Sequence, residues 1–334
     1  MLELDSKILN ELKNLSEKIS SDIYLNQGPG GNLSYKDQGT MWIKSSGTWL
    51  KDAIYRNIFI PVKIKNIKDE LSFELFDEED FSYKNSKPSI ETKLHLCFKE
   101  KFVLHTHSLN TLSHAVREKG ETEVKKKLKK YNAAWIPYIQ PGENLALKVK
   151  EIINDKTNVV ILANHGLLIS GDKGSEVFEI LLDIENKLAL EVKNIKVRDQ
   201  YSENSIKEYY PFRKSKFLCV DKIAFSKFST KSISKANLFP DQVIFLPAQK
   251  IFVCEEIFFH KNEKFISSQY EVVVIRDKAV LVSKDISETS ELILFSLSIV
   301  LQNNENKKLS FISCLESETL SKWDSEKHRK KIAK

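Results

Sequence analysis

Leu2, Leu4, Ile8, Leu9, Leu12, Leu15 and Ile19 recur at three- and four-residue spacing between charges, which predicts a surface helix over the first twenty residues. Gln27-Gly28-Pro29-Gly30-Gly31-Asn32-Leu33-Ser34 follows as the densest glycine cluster of the chain and reads as a binding loop. A short strand and turn come next, Met41 to Leu50, and residues 61–81 predict a strand and then an acidic helix. Pro88 and Ser89 are start signals for a helix reaching about Phe98. The apolar strand Phe102-Val103-Leu104 then runs directly into His105-Thr106-His107. After a loop punctuated by Pro137, Pro141 and Gly142, a helix from Glu143 leads to an apolar strand over 158–163 and to His165. Val177, Ile180, Leu181, Ile184 and Leu188 mark a long amphipathic helix from Gly174 to about Lys196.

Beyond residue 205 the texture changes. Val243–Leu246, Ile251–Cys254 and Val272–Ile275 read as strands, and Arg276-Asp277-Lys278 turns the last into a hairpin with Ala279–Val282. Helices are expected at 286–301 and 316–332. The chain thus divides into a domain over 1–210 and a smaller α+β domain over 211–334, the latter with no catalytic cluster.

Composition adds mostly exclusions. A chain of 334 residues that is 41% hydrophobic and 29% charged is ordinary for a soluble protein. No stretch approaches the roughly 18 unbroken apolar residues of a membrane span. Cys97, Cys219, Cys254 and Cys314 are dispersed in apolar neighbourhoods without metal-site spacing, which fits reduced thiols and a cytoplasmic protein. The net charge of +6 is spread among acids, and the dense run Lys125–Lys130 reads as a solvated helix face, so neither nucleic acid nor membrane is expected as a partner. The glycine loop has neither the dinucleotide nor the Walker pattern.

The candidate chemistry lies in histidines. Side chains two apart on a strand share a face, so His105 and His107 aim two imidazoles at one point, and His165 ends a second apolar run that could lie beside the first. Three imidazoles around an open position suit a metal ion doing Lewis-acid chemistry; the alternative is hydrogen-bonding core histidines. Glu91 and His95, four apart, fall on one helical face, where a structural hydrogen bond from His95 is the expectation. His114, His260 and His328 read as surface or structural residues.

Taken in order, Gly31-Asn32-Leu33-Ser34, Met41 to Leu50, Pro88-Ser89-Ile90-Glu91, His105-Thr106-His107 and Asn164-His165-Gly166-Leu167 resemble the class II aldolase/adducin family over roughly residues 5–195. The wording is closest to the aldolase half of two-domain rhamnulose-phosphate aldolase/lactaldehyde dehydrogenase proteins. Phe239-Pro240-Asp241 and Trp323 to Lys327 extend the likeness. The chain ends where a dehydrogenase domain would begin, and no redox activity is carried over.

The resemblance implies a three-layer αβα sandwich and a homo-oligomer, a tetramer in many relatives. It implies a divalent ion, zinc foremost, on His105, His107 and His165, with Glu91 as acid/base. Asn32, Ser46, Gly47 and Ser89 match positions that hold the substrate's phosphate, although Ile90 replaces a serine of the fuculose-phosphate aldolases and weakens that inference. The implied activity is an aldehyde-lyase cleaving a sugar or ketose phosphate through a metal-stabilised enediolate. The alternatives are an epimerase, dehydratase or decarboxylase on the same site, or a non-catalytic adducin-like scaffold.

Overall fold

A computed structural model describes residues 4–67, 70–76, 86–190 and 211–332. By these residues the chain forms two compact units. One comprises Met1–Ala115, Lys119–Ala189 and Lys327–Ala333; the other comprises Val116–Glu118 and Leu190–Glu326.

The first unit is built on eight strands: β1 (Asn32–Asp37), β2 (Thr40–Lys44), β3 (Phe59–Ile67), β4 (Glu70–Leu75), β5 (Phe102–Thr106), β6 (Ala134–Ile136), β7 (Val159–Leu162) and β8 (Gly166–Gly171). Their spatial order is β4-β3-β2-β1-β5-β8-β7-β6. Every neighbouring pair is antiparallel except β6 and β7.

Both faces of this sheet are covered, as a sheet apolar on both faces requires. Leu33, Leu104, Ile161, Leu167 and Ile169 form one core with Leu12, Leu15 and Ile19 of α1 (Ser6–Ser20). On the opposite face Val103, Val160, Leu162 and Leu168 pack with Leu94 of α2 (Thr92–Leu96). The remaining helices of this unit are α3 (Leu109–Ala115), α4 (Gly120–Lys127), α5 (Glu143–Ile152) and α6 (Gly174–Lys187). Leu145, Ala146 and Val149 of α5 join the α2 face, whereas Val177, Leu181 and Ile184 of α6 join α1. The result is a three-layer αβα sandwich.

α1 starts where Asp5 accepts hydrogen bonds from the amides of Lys7 (2.8 Å) and Ile8 (3.3 Å), satisfying two of the helix's orphan donors.

The second unit carries β9 (Phe212–Lys214), β10 (Ile251–Cys254), β11 (Val272–Ile275) and β12 (Ala279–Ser283) in the order β10-β11-β12-β9. Its helices are α7 (Lys227–Ile233), α8 (Pro240–Phe245), α9 (Glu256–Gln269), α10 (Glu288–Gln302) and α11 (Cys314–Lys322), while α12 (Asp324–Ile332) starts in this unit and belongs to the first from Lys327 onward. Phe259 and Ile266 of α9 cover Val273, Ile275 and Leu281 of the sheet.

Several local expectations are corrected. Val243–Leu246 is no strand: Val243, Ile244 and Phe245 end α8, which begins with Pro240 and Asp241 in its first turn. All six residues of α8 are buried, so there is no polar face to produce a helical period. The helix expected over 316–332 is two helices, broken where Trp323 adopts an extended backbone (φ −61°, ψ 131°). Glu70–Leu75 is a strand paired with β3, not an acidic helix; residues 77–85 lie outside the described residues. α6 is described to Lys187, and the expected continuation over 191–196 also lies outside them. The helix after Pro88 is confined to Thr92–Leu96. The strand preceding His165 does not lie beside β5, because β8 intervenes.

Candidate metal centre

His105 is in β5 and His107 follows just past its end. Val103 and His105 share a face, and that face packs against α2. His165 stands in the tight turn between β7 and β8. There Asn164 takes a left-handed conformation (φ 56°) and the His165 amide donates to Leu162 O at 3.1 Å. β8 then returns alongside β5, with Leu168 opposite His105. Gly166 permits this approach: a Cβ there would lie 2.5 Å from Thr106 O and 3.1 Å from His105 Cε1.

The turn brings the three rings together. His105 Nε2 lies 3.1 Å from His107 Nε2 and 3.3 Å from His165 Nε2, and all three residues are buried. His105 Nδ1 donates to Leu167 O at 3.0 Å, which fixes the tautomer with an Nε2 lone pair facing the other two rings. The candidate ligand atoms of the trio all lie within 4.8 Å of one another.

Glu91 caps the N-terminus of α2 at the same point. Its Oε1 is 3.4 Å from His105 Nε2 and 3.5 Å from His165 Nε2. This oxygen is buried and has no hydrogen-bond partner, a costly condition for a carboxylate in a dry site. Converging imidazole nitrogens beside an unsatisfied buried carboxylate oxygen fit a divalent cation, and the trio could hold one.

The loops around this point are tied down by buried polar groups. Ser45 forms an isolated bridge with Pro88, and the Ser46 amide donates to Lys87 O at 2.8 Å, so the turn holding Ser46 and Gly47 adjoins the loop holding Ser89 and Glu91. Ser89 Oγ accepts from the Glu91 amide at 3.2 Å. Gly47 has φ +78°, a region that favours glycine. Asn32 sits opposite His105 in the β1–β5 pairing; its Oδ1 accepts from the Leu33 amide, and its buried Nδ2 has no partner. The structure therefore joins the histidines to Glu91, and the 45–48 turn to the 87–91 loop, with Asn32 across the strand pair from His105.

Other residues serve this arrangement without having stood out in the sequence. Lys44 is buried and donates to Thr48 O at 2.7 Å and Pro29 O at 3.3 Å, linking the glycine loop to the Ser46 turn. Glu185 of α6 accepts from Ser108 Oγ and from Asn110 Nδ2 (2.8 Å), fixing the chain just past His107. A signal existed for Glu185, which lies four residues after Leu181 on the apolar face of its helix. Lys44 gave none, because a lysine at a strand end normally reaches solvent.

His95 is fully buried, and its Nδ1 shares a 2.8 Å hydrogen bond with Ser34 Oγ. Burial, reinforced by the nearby His105, Lys36 and Lys44, holds its pKa well below 6.5. His114 is buried beside Glu123 rather than exposed, and His260 is exposed between Glu256 and Glu263.

The family model described as the Class II Aldolase and Adducin N-terminal domain matches residues 15–192. A relative from Bacillus subtilis strain 168, described as uncharacterized oxidoreductase YuxG, is 26% identical over 226 residues, 62% of this chain and 31% of the relative. The chain thus spans under a third of that relative's length. Among solved structures, the N-terminal class II aldolase domain of a conserved protein from Thermoplasma acidophilum is 27% identical. That match covers 56% of this chain and 94% of the other, at a TM-score of 0.47. A sugar-phosphate aldolase from Thermotoga maritima is 17% identical, with 55% and 92% covered and a TM-score of 0.46. Because the family match runs over more than half of its residues, the chain belongs to the class II aldolase/adducin family.

Proposed function

We propose that this protein is a metal-dependent aldehyde-lyase that cleaves a ketose phosphate, with zinc on His105, His107 and His165. The observation that carries the reading is the convergence of three imidazole nitrogens with the unsatisfied Oε1 of Glu91. A scaffold protein has no use for that costly arrangement. When bound, the ion supplies Lewis-acid stabilisation of negative charge developing on substrate oxygens.

The chain's own residues do the rest. Glu91 moves the proton: its Oε1 has no hydrogen-bond partner, and Ser89 Oγ holds its backbone amide at the start of α2. The Nδ2 of Asn32, with Ser46, the Gly47 backbone and Ser89, holds the substrate's anionic end. Lys44 keeps the two loops of that cradle in register. The four cysteines are unpaired, and burial pushes the Cys97 thiol up to about 12 and Cys254 to about 11; reduced thiols of this kind support a cytoplasmic location.

The test is metal analysis followed by a substrate panel. Wild type should carry about one zinc per chain after reloading, and His107→Ala should carry none. Loaded wild type should release dihydroxyacetone phosphate from a ketose 1-phosphate. Zinc binding with isomerised or dehydrated product in place of aldehyde would move the assignment to epimerase or dehydratase. No zinc in either protein would end the lyase reading.

A further inference from the structure

The second unit contains an open cavity of about 360 Å³ lined by Glu118, Phe228, Lys231, Ser232, Lys235, Lys307, Lys308, Leu309 and Phe311. Four lysines from two segments some seventy residues apart meet there against one carboxylate. Several lysines elsewhere in the protein pair with acids: Lys93 with Glu143, Lys99 with Asp155, Lys125 with Glu121, Lys278 with Glu256 and Lys322 with Glu318. Among the described residues, Lys231, Lys235, Lys307 and Lys308 form no ion pair. The acid nearest Lys307 in sequence, Glu305, instead accepts from Ser226 Oγ (2.9 and 3.1 Å). Four like charges around a single carboxylate leave the cavity net positive, so an anionic ligand is the natural complement.

The cavity also offers two half-buried rings. Phe311 lies under Lys235 Nζ, 4.6 Å from the ring centroid. Phe228 has neither a ring nor a cation partner among the described residues. One wall is held in place, since the Glu118 amide donates to Lys308 O at 3.1 Å and Arg117 bridges to Leu309. A single phosphate brings about −1.5 to −2 of charge, less than four lysines hold, whereas a pyrophosphate chain comes closer. A planar base would gain by stacking on Phe228. The volume suits one small ligand rather than a peptide or a duplex.

We infer that this cavity is a binding site for a nucleoside diphosphate, with the phosphates on the lysines and the base on Phe228. Its lining residues all belong to the second unit, whereas the three histidines belong to the first.

Isothermal titration of the zinc-loaded full-length protein with ADP, inorganic pyrophosphate and adenosine tests it. ADP should bind, and Lys231→Ala/Lys308→Ala should weaken it at least about tenfold, as losing charged contacts does. Phe228→Ala should weaken ADP by roughly tenfold and leave pyrophosphate unchanged, because only the base uses the ring. Zinc content and circular dichroism should match wild type in both variants, since none of these residues belongs to the unit that holds the histidines. No ADP binding, ADP binding indifferent to the lysine pair, or pyrophosphate binding as tight as ADP would each overturn the assignment.

Discussion

Glu91 is a buried carboxylate whose Oε1 stands within 3.5 Å of two imidazole nitrogens without a hydrogen bond. If it moves the proton, Glu91→Gln keeps the shape and loses the base. The expected outcome is a fall in kcat of about 10²–10⁴-fold at unchanged zinc content, read by steady-state assay and metal analysis. Loss of zinc along with activity would instead make Glu91 a ligand. His95 allows a prediction with a definite sign. Its folded pKa is depressed, so the folded protein keeps the ring neutral while the unfolded chain takes up a proton as pH falls through 6.5. The stability from His95 is complete above that pH and is lost below it, on the way to the folded pKa, at up to about 1.4 kcal/mol per pH unit. Urea unfolding of wild type and His95→Gln should show wild type's advantage shrinking as pH falls below 6.5. An advantage constant with pH would show that His95 does not titrate between the two states.

At the scale of elements, strand pairing decides whether three distant histidines meet. β8 must lie against β5, and Gly166 stands where a side chain would meet the Thr106 carbonyl. Gly166→Ala would drive a methyl to 2.5 Å from Thr106 O, so β8 must shift. A cost of about 1–3 kcal/mol is expected, together with weaker zinc binding because His165 moves with the strand. Denaturation and zinc competition against a chelating dye would register both effects. A stable variant with wild-type zinc affinity would mean that the turn relaxes without disturbing His165.

The same elements show how far the sequence could be read. The apolar runs entering His105 and His165 identified β5 and β7, since short β-branched runs ending at turn residues have few other uses. α8 was read as a strand because burial on every side erased its period. Glu91 lies at the head of a helix of only five residues, too short for periodicity to define. The proposed cradle around Asn32 rests on residue matches, whereas Lys44, which links the glycine loop to the Ser46 turn, had no local signature.

At the scale of the whole molecule, folding and metal binding should be linked. Zinc at about a hundred times its dissociation constant should raise stability by about 2.7 kcal/mol, seen as a higher melting temperature that a chelator reverses. His107→Ala should abolish the increment. The C-terminus gives a second test, because Lys327–Ala333 belong to the compact unit that holds the three histidines. A Cβ on Gly47 would come within 2.8 Å of Ile332 Cβ and 3.4 Å of Arg329 O, so α12 lies directly on the Ser46–Gly47 turn. Truncation after Glu326 should speed hydrogen exchange at residues 45–48 and weaken substrate binding without removing zinc. Unchanged exchange there would show that α12 adds nothing to the turn.

By itself the sequence determined the residue types and the local directions of this protein. Alternation aims His105 and its strand neighbours, glycines mark where backbones must come close, and apolar runs mark what must be buried. These are properties of a few consecutive residues, fixed by backbone sterics and side-chain chemistry. Only the tertiary structure decided that β8 comes between β5 and β7, that Glu185 anchors the chain beyond His107, and that the terminal helix rests on Gly47. It alone gathered four lysines from two segments around one cavity. Each of these depends on contacts between residues far apart in sequence, whose energies no local pattern encodes.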